Sequence, residues 1–399
     1  MKKIVLSTIV LTAISLADTT SSAEIEALKA QMASMQKQLA SLESNNATTA
    51  APKKHSSTTV KSHVPILKFS GTHYLGFVSN DDKTEGGDTS NKFETRRNYL
   101  QVKAYMAENP KDYMRITLDT HTNKNINADV DGSQETIIKG GETGVRLKYA
   151  YLYLDNVLPN TGVEFGQAHR PWIDYEEHNA WNYRSISKVM VEEKNAGHLT
   201  NSADRGINFK TKTPYFSSEL GVFNGEGYHN EEDGERLSGE WRLTGHLLGT
   251  GKKKAKKSNT YANVSFFGQE NKLSNKHQNE DLNWMGLHAV YNQPEFLLAA
   301  QYIDVNDATE KYKGDGYSIN GEYRVTKDWN VIARYDNFDM AEGDYKDVSK
   351  KRTLAGVSYE YNKNVDFIAN YLKTDVSGNT DTTKDVDSDA IMLTAQVEW

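Results

Sequence analysis

The sequence predicts a transmembrane antiparallel β-barrel of about sixteen strands, preceded by a short α-helical coiled coil. Three observations carry this expectation. From Pro65 onward, apolar and polar residues alternate with period two in segments of about ten residues. Short and long connections between those segments also alternate. Mean hydropathy is −0.71, and beyond the N-terminus no apolar run approaches the roughly 20 residues of a membrane helix. A helical membrane protein is therefore excluded. A barrel is not, because its strands average lipid-facing with water-facing residues.

The composition fits this class. Tyr 22 and Phe 12 set against Pro 7 suit long strands, and Gly 28 suits the loops between them. With Cys 0 there is neither a disulfide scaffold nor a thiolate metal site. A formal net charge of −7 gives no global reason to expect nucleic acid as a partner.

At the N-terminus, Lys2 and Lys3 precede an apolar stretch from Ile4 to Leu16, and small residues follow at Ser15, Ala17, Ser21 and Ala23. This is the pattern of a secretion signal, too short to span a bilayer. Cleavage after Ala17 and after Ala23 both fit; residues 1–23 are taken as the signal because a helical pattern starts directly afterwards. In residues 24–43, Ile25, Leu28, Met32, Met35, Leu39 and Leu42 are spaced by three, four, three, four and three residues, a heptad seam. Such a rod would be roughly 30 Å long and marginal alone. It is expected to be a trimerising stalk in the periplasm; a single amphipathic helix lying on its own protein is the alternative. Residues 44–64 are small, polar and unpatterned, a flexible linker. The barrel is then 65–399.

Within the barrel the last segment alternates most cleanly. Leu393, Ala395, Val397 and Trp399 share one face, and Met392, Thr394, Gln396 and Glu398 the other. Tight turns are expected at 108–112, 155–160, 212–215, 292–295, 326–328 and 362–364, and an enlarged one at 249–258. Longer charged stretches, at about 80–91, 123–142, 171–203, 225–235, 270–280, 306–313, 340–349 and 376–387, fall between them. That alternation gives an even strand number and puts both chain ends on the periplasmic side.

Two blocks, RLKYAYLYLDNVLPNTGVEFGQAHRPW at 146–172 and RGINFKTKTPYFSSELGVFNGEG at 205–227, resemble the phosphate-selective porin O and P family. The stalk is similar to that of coiled-coil-bearing dicarboxylate porins. The resemblance implies a sixteen-stranded homotrimer in the bacterial outer membrane, with water-filled pores and a third outer loop folded inward.

Loop 171–203 is that third and longest outer loop, and it is the expected constriction. It carries Asp174, Glu176, Glu177, Arg184, Lys188, Glu192, Glu193 and Lys194, and it is entered from Arg170. Basic wall residues facing acidic loop residues would set up a transverse field that orients dipolar solutes. A solvated surface loop is the bland alternative. On the strands, the water-facing side carries Arg97, Lys103, Arg115, Arg242, Arg324 and Arg334. The family's anion-selective members are marked by a basic ladder, whereas here the same faces also carry Asp119, Glu164, Glu240, Glu322, Asp336 and Glu398. Any single basic residue can equally stiffen the wall through a salt bridge, so only the set is informative.

The run of lysines at 252–257 is expected to be solvated. No catalytic motif, cofactor site or metal-ligand spacing stands out, so no enzyme is expected. The expected function is passive diffusion of small hydrophilic solutes or anions across the lipid bilayer of the outer membrane. The alternatives are a structural envelope protein tethering that membrane through its stalk, and a soluble carbohydrate-binding β protein.

Overall fold

In the computed structural model, residues 65–399 are described apart from 85, 123–125, 131–132, 139–142, 229–236, 250, 252–254, 273–281, 308–312, 342–345 and 379–384. The secretion signal, the coiled-coil seam from Ile25 to Leu42 and the linker lie outside the described residues.

The strands are β1 Ile66–Asp82, β2 Thr89–Tyr105, β3 Tyr113–Thr122, β4 Ile126–Val130, β5 Ser133–Ile138, β6 Thr143–Leu158, β7 Thr161–His169, β8 Ala203–Lys212 and β9 Phe216–Phe223. They continue as β10 Leu237–Leu248, β11 Tyr261–Lys272, β12 Leu282–Gln293, β13 Phe296–Asp307, β14 Gly314–Arg324, β15 Trp329–Met340, β16 Ser349–Asn362, β17 Val365–Ser377 and β18 Val386–Glu398. One short helix, α1 Ile173–Asn179, sits in the third outer loop. Sixteen strands close an antiparallel barrel, as the loop alternation predicts, and β4 and β5 pair separately. That extra hairpin falls within 123–142, which the sequence pattern reads as loop.

Closure joins β1 to β18, from Thr72 opposite Glu398 to Asp82 opposite Ser388. At the seam Trp399 exchanges backbone hydrogen bonds with Gly71, at 2.9 and 3.0 Å. A Cβ on Gly71 would come within 2.6 Å of the Trp399 ring, so a side chain there would push the last residue off the first strand.

The alternation does the work expected of it. Leu287, Leu298, Ile319, Val331, Ile391 and Leu393 point outward and stay exposed, as a lipid-facing surface requires. Gln301, Asn320, Ser318, Arg334 and Asp336 point inward and are buried. Beside the short turns the outer face carries Tyr291 with Phe296, Trp329 with Tyr359, and Tyr361 with Phe367, ring centroids 5.7, 4.7 and 6.0 Å apart. This is an aromatic girdle at the periplasmic interface.

The interior is not uniformly polar. Phe267, Trp284, Ile303, Val305, Ile332, Phe338, Leu354, Ile368 and Met392, all inward-facing on β11–β18, form one buried cluster with the third outer loop. That loop therefore folds into the barrel and packs against the β11–β18 half of the wall. At about 25 cal/mol per Å² of apolar area, such a cluster is a core in its own right.

Candidate functional site

The loop is held in place from its first residue. Arg170, buried at the end of β7, donates from Nε to both carboxylate oxygens of Glu240 on β10, at 2.8 and 2.9 Å. Trp172 then stacks on Phe267 with centroids 3.5 Å apart and planes 5° from parallel. Its indole N–H donates to Glu176 at 2.8 Å, and Gln301 Nε2 donates to the other oxygen of that carboxylate at 2.8 Å. Burial pushes the Glu176 carboxyl up to about 7, against the pull of Arg334. Past the helix, Asn320 donates to the Ala180 carbonyl at 2.9 Å, Tyr183 donates to Glu322 at 2.7 Å, and the Arg334 guanidinium lies 4.9 Å from the Trp181 ring.

Two of the loop's cations are paired within it. Arg184 pairs with Glu177 and with Glu192, the latter at 2.6 Å, and Lys188 reaches Glu192 at 3.3 Å. Burial alone would raise the Glu192 carboxyl, but Arg184 and Lys188 outweigh it and hold it well below the usual carboxylate range.

With the loop packed on β11–β18, the open lumen runs mainly along β1–β3 and β6–β10, and Ser358, Asp366, Ile368, Gln396 and Glu398 of β16–β18 complete its narrow part. A cavity of about 420 Å³ forms the narrow part, lined by Tyr74, Tyr99, Arg115, Lys148 and Tyr149 from the wall, and by Asp174, Glu177, Trp181 and Arg184 from the loop. A wider vestibule of about 1370 Å³, lined by Lys103, Arg115, Tyr113, Tyr153, Lys210 and Arg242, opens beside the periplasmic turns.

The wall cations are held by tyrosines. Arg97 donates to the Tyr99 hydroxyl at 2.9 Å, and Lys148 donates to the same oxygen at 3.1 Å. Arg115 lies 4.6 Å from the Tyr149 ring centroid, and Lys103 4.5 Å from that of Tyr113. Such contacts are worth about 0.5–2 kcal/mol each and do not add a carboxylate beside the cation. None of Arg97, Lys103, Arg115 or Lys148 makes an ion pair with a carboxylate among the described residues. Farther round, Arg242 pairs with Glu219 at 3.1 Å, and Lys210 lies 3.3 Å from both Glu164 and Glu219.

The structure thus brings Arg115, Asp174, Glu177 and Arg184 to the narrow cavity, and Lys103 and Arg242 to the vestibule. Arg97 stands beside the narrow cavity through Tyr99. Arg170, Glu176, Lys188, Arg324 and Arg334 do not line either space. They fasten the loop or the periplasmic rim: Arg324 pairs with Glu322 at 2.6 Å and donates to the Gln293 carbonyl at 2.6 Å.

Two lumen cations break the alternation, which is why sequence periodicity passes over them. A β-bulge between Tyr74 and Leu75 of β1 leaves Arg96 as the extra residue of β2, and its guanidinium reaches the Ser185 carbonyl at 2.8 Å and Thr394 at 2.9 Å. A second bulge, opposite Thr117 and Leu118, leaves Lys148 as the extra residue of β6 and turns it inward. The local sequence builds this bulge. Gln167 donates to the Leu147 and Lys148 carbonyls at 2.7 and 2.9 Å. Gly166, at φ 125°, sits where a Cβ would meet the Ala150 carbonyl at 2.4 Å.

A closed barrel with an apolar outside, a charged inside and an inward loop that narrows it defines a membrane channel of the porin class. The chain belongs to one family of that class, described as phosphate-selective porin O and P, whose sequence profile matches residues 72–399. A comparison with curated proteins finds no match. Among solved structures the chain is similar to the outer-membrane protein OmpT of Vibrio cholerae in its trimer form, at 11% identity and TM-score 0.55, covering 84% of this chain and 100% of that one. It is also similar to OmpF of Salmonella typhi in complex with daunomycin, at 13% and 0.54, covering 85% and 99%. OprB of Pseudomonas putida matches at 9% and 0.57, covering 84% and 94%. At these identities the likeness is one of fold.

Proposed function

We propose that this porin is a passive diffusion channel for small hydrophilic solutes with a mild preference for anions. One observation carries the preference: Arg97, Lys103, Arg115 and Lys148 stand on tyrosines with no carboxylate ion-pair partner among the described residues, while Arg184 and Lys188 of the loop facing them are paired within it. A permeating anion meets unpaired positive charge on the wall side of the narrow cavity, and on the loop side Asp174 beside the paired Arg184 and Glu177. Glu164 and Glu219 are engaged by Lys210 and Arg242, so they do not offset that wall, whereas Asp366 and Glu398, which also line the narrow cavity, have no ion-pair partner among the described residues.

The wider reading keeps the domain organisation expected from sequence: a cleaved signal at 1–23, a coiled-coil stalk at 24–43, a linker at 44–64 and the barrel at 65–399. The assembly is a homotrimer of three parallel pores in the outer membrane with the stalk in the periplasm. The heptad seam supports it, and so does the trimer form of OmpT. Reconstitution into planar bilayers tests the reading. Stepwise conductance in multiples of three, with a reversal potential of anionic sign under a KCl gradient, is expected. A protein that inserts but never conducts would instead support a tethering role.

A further inference from the structure

The connection between β10 and β11 is the one enlarged periplasmic turn, and its closing limb, Ala255–Thr260, does not extend into the periplasm. Asn292 Nδ2 on β12 lies 3.4, 3.3 and 2.5 Å from the carbonyls of Lys256, Lys257 and Asn259. Arg324 on β14 donates to the Lys257 carbonyl at 3.1 Å. These contacts draw the limb across the periplasmic mouth. As a result Lys257 lines the narrow cavity itself, although it belongs to a turn on the opposite side of the membrane from the constriction loop. Its Nζ stands 5.7 Å from the Tyr183 ring of that loop and 3.7 Å from Glu322.

We propose that the 255–260 limb is a second constriction element, entering from the periplasmic side, and that Lys257 is its specificity-determining residue. The chemistry of this corner explains why a cation is placed there. Asp366 and Glu398 line the same cavity and have no ion-pair partner among the described residues. Glu322 is already engaged by Arg324 and Tyr183, and the Arg324 guanidinium is spent on Glu322 and backbone carbonyls. Without Lys257 the exit from the cation-bearing wall would be an acidic collar that repels the anions the wall admits. Lys257 side-chain exposure of 42% leaves the ammonium free to meet a solute. Asn292 and Arg324, which hold the limb's backbone, are positioning residues.

This inference rests on the reading of the lumen as an anion-preferring conduit, and the experiment separates the two. Wild type, Lys257→Gln and Lys256→Gln are compared for reversal potential under a KCl gradient. Lys256 is exposed in the same limb and lines neither cavity, so the two variants lose the same charge at neighbouring positions. The anion-to-cation permeability ratio is expected to fall about threefold in Lys257→Gln, for one charge removed within a Debye length of the path, and to stay at the wild-type value in Lys256→Gln. Equal ratios in both variants would overturn the role of Lys257. A wild type without anion preference would overturn the underlying reading instead. As a second arm, Asn292→Ala frees the limb while keeping Lys257; the same direction of shift supports the positioning role, and an unaltered ratio refutes it.

Discussion

Replacing Lys148 with Gln tests most directly whether the wall cations set selectivity. The Lys148 ammonium is buried against the Tyr99 and Tyr149 rings, 4.4 and 5.3 Å from their centroids, and lines the narrow cavity. A sphere of the cavity's volume has a radius of about 5 Å, so a centred ion is about that far from the wall charge. Across water the interaction is about 0.8 kcal/mol, which screening at 0.1 M salt reduces to about 0.5 kcal/mol. Removing the charge takes that much from the anion and returns it to the cation, a difference of about 1 kcal/mol, or about fivefold in permeability ratio. Gln retains a donor for the Tyr99 hydroxyl, so the barrel should fold as before. The assay is the reversal potential in a planar bilayer under a tenfold KCl gradient, with Lys111→Gln as control, since Lys111 is exposed on a periplasmic turn beside Asp155. A Lys148→Gln channel with the wild-type ratio would refute the claim that unpaired wall cations govern passage.

Other outcomes follow from the loop's fastenings. Neutralising Arg184 and Lys188 together leaves buried Glu192 unpaired, so the reversal potential should move toward cation preference and thermal stability should drop by about 3–5 kcal/mol; an unaltered potential would mean the loop does not face the permeating ion. Arg170→Met strands the Glu240 carboxylate at a similar cost, about 3–5 kcal/mol, and should make loop 171–202 protease-sensitive, while the double variant Arg170→Met/Glu240→Leu recovers most of the loss. Glu176 gives a pH signature: its carboxyl is raised to about 7, so the folded protein favours the protonated form. The associated stability is fully present below about pH 4.5 and lost as pH rises through about 7. Glu176→Gln should therefore melt like wild type at pH 5 and be more stable by up to about 3 kcal/mol at pH 9.

The strands were legible because lipid and lumen impose a period-two code, and the turns because loop length marks which side of the membrane they face. The constriction loop was legible by length and position. What could not be read was where that code is suspended. Arg96 and Lys148 fall on the lipid-facing phase and reach the lumen only through bulges, and a bulge is set by cross-strand partners such as Gln167 rather than by its own segment. Arg170, Glu176 and Arg334 look like passage residues from their charge alone, yet each is consumed in holding the loop, because partners such as Glu240 and Gln301 are distant in sequence. Lys257 hid inside a lysine run whose expected fate was solvation. The β4–β5 hairpin shows the limit in the other direction: Ile126, Ala128 and Val130 alternate with Asn127 and Asp129, but over too few residues to stand out from a charged, Gly-containing stretch.

The third loop is made long before the surface that receives it. Trp172, Ile186, Val189 and Met190 precede Phe267, Ile303, Phe338 and Met392, their partners in the buried cluster, so the loop has nowhere to dock until the C-terminal strands are in place. Every one of those pairings spans a large part of the chain, which makes docking an intrinsically slow event. A nascent barrel must therefore pass through a wide, unplugged stage with greasy patches on its inner wall. Sealing the aperture is then the last act of maturation, and a chain stalled before it would leak.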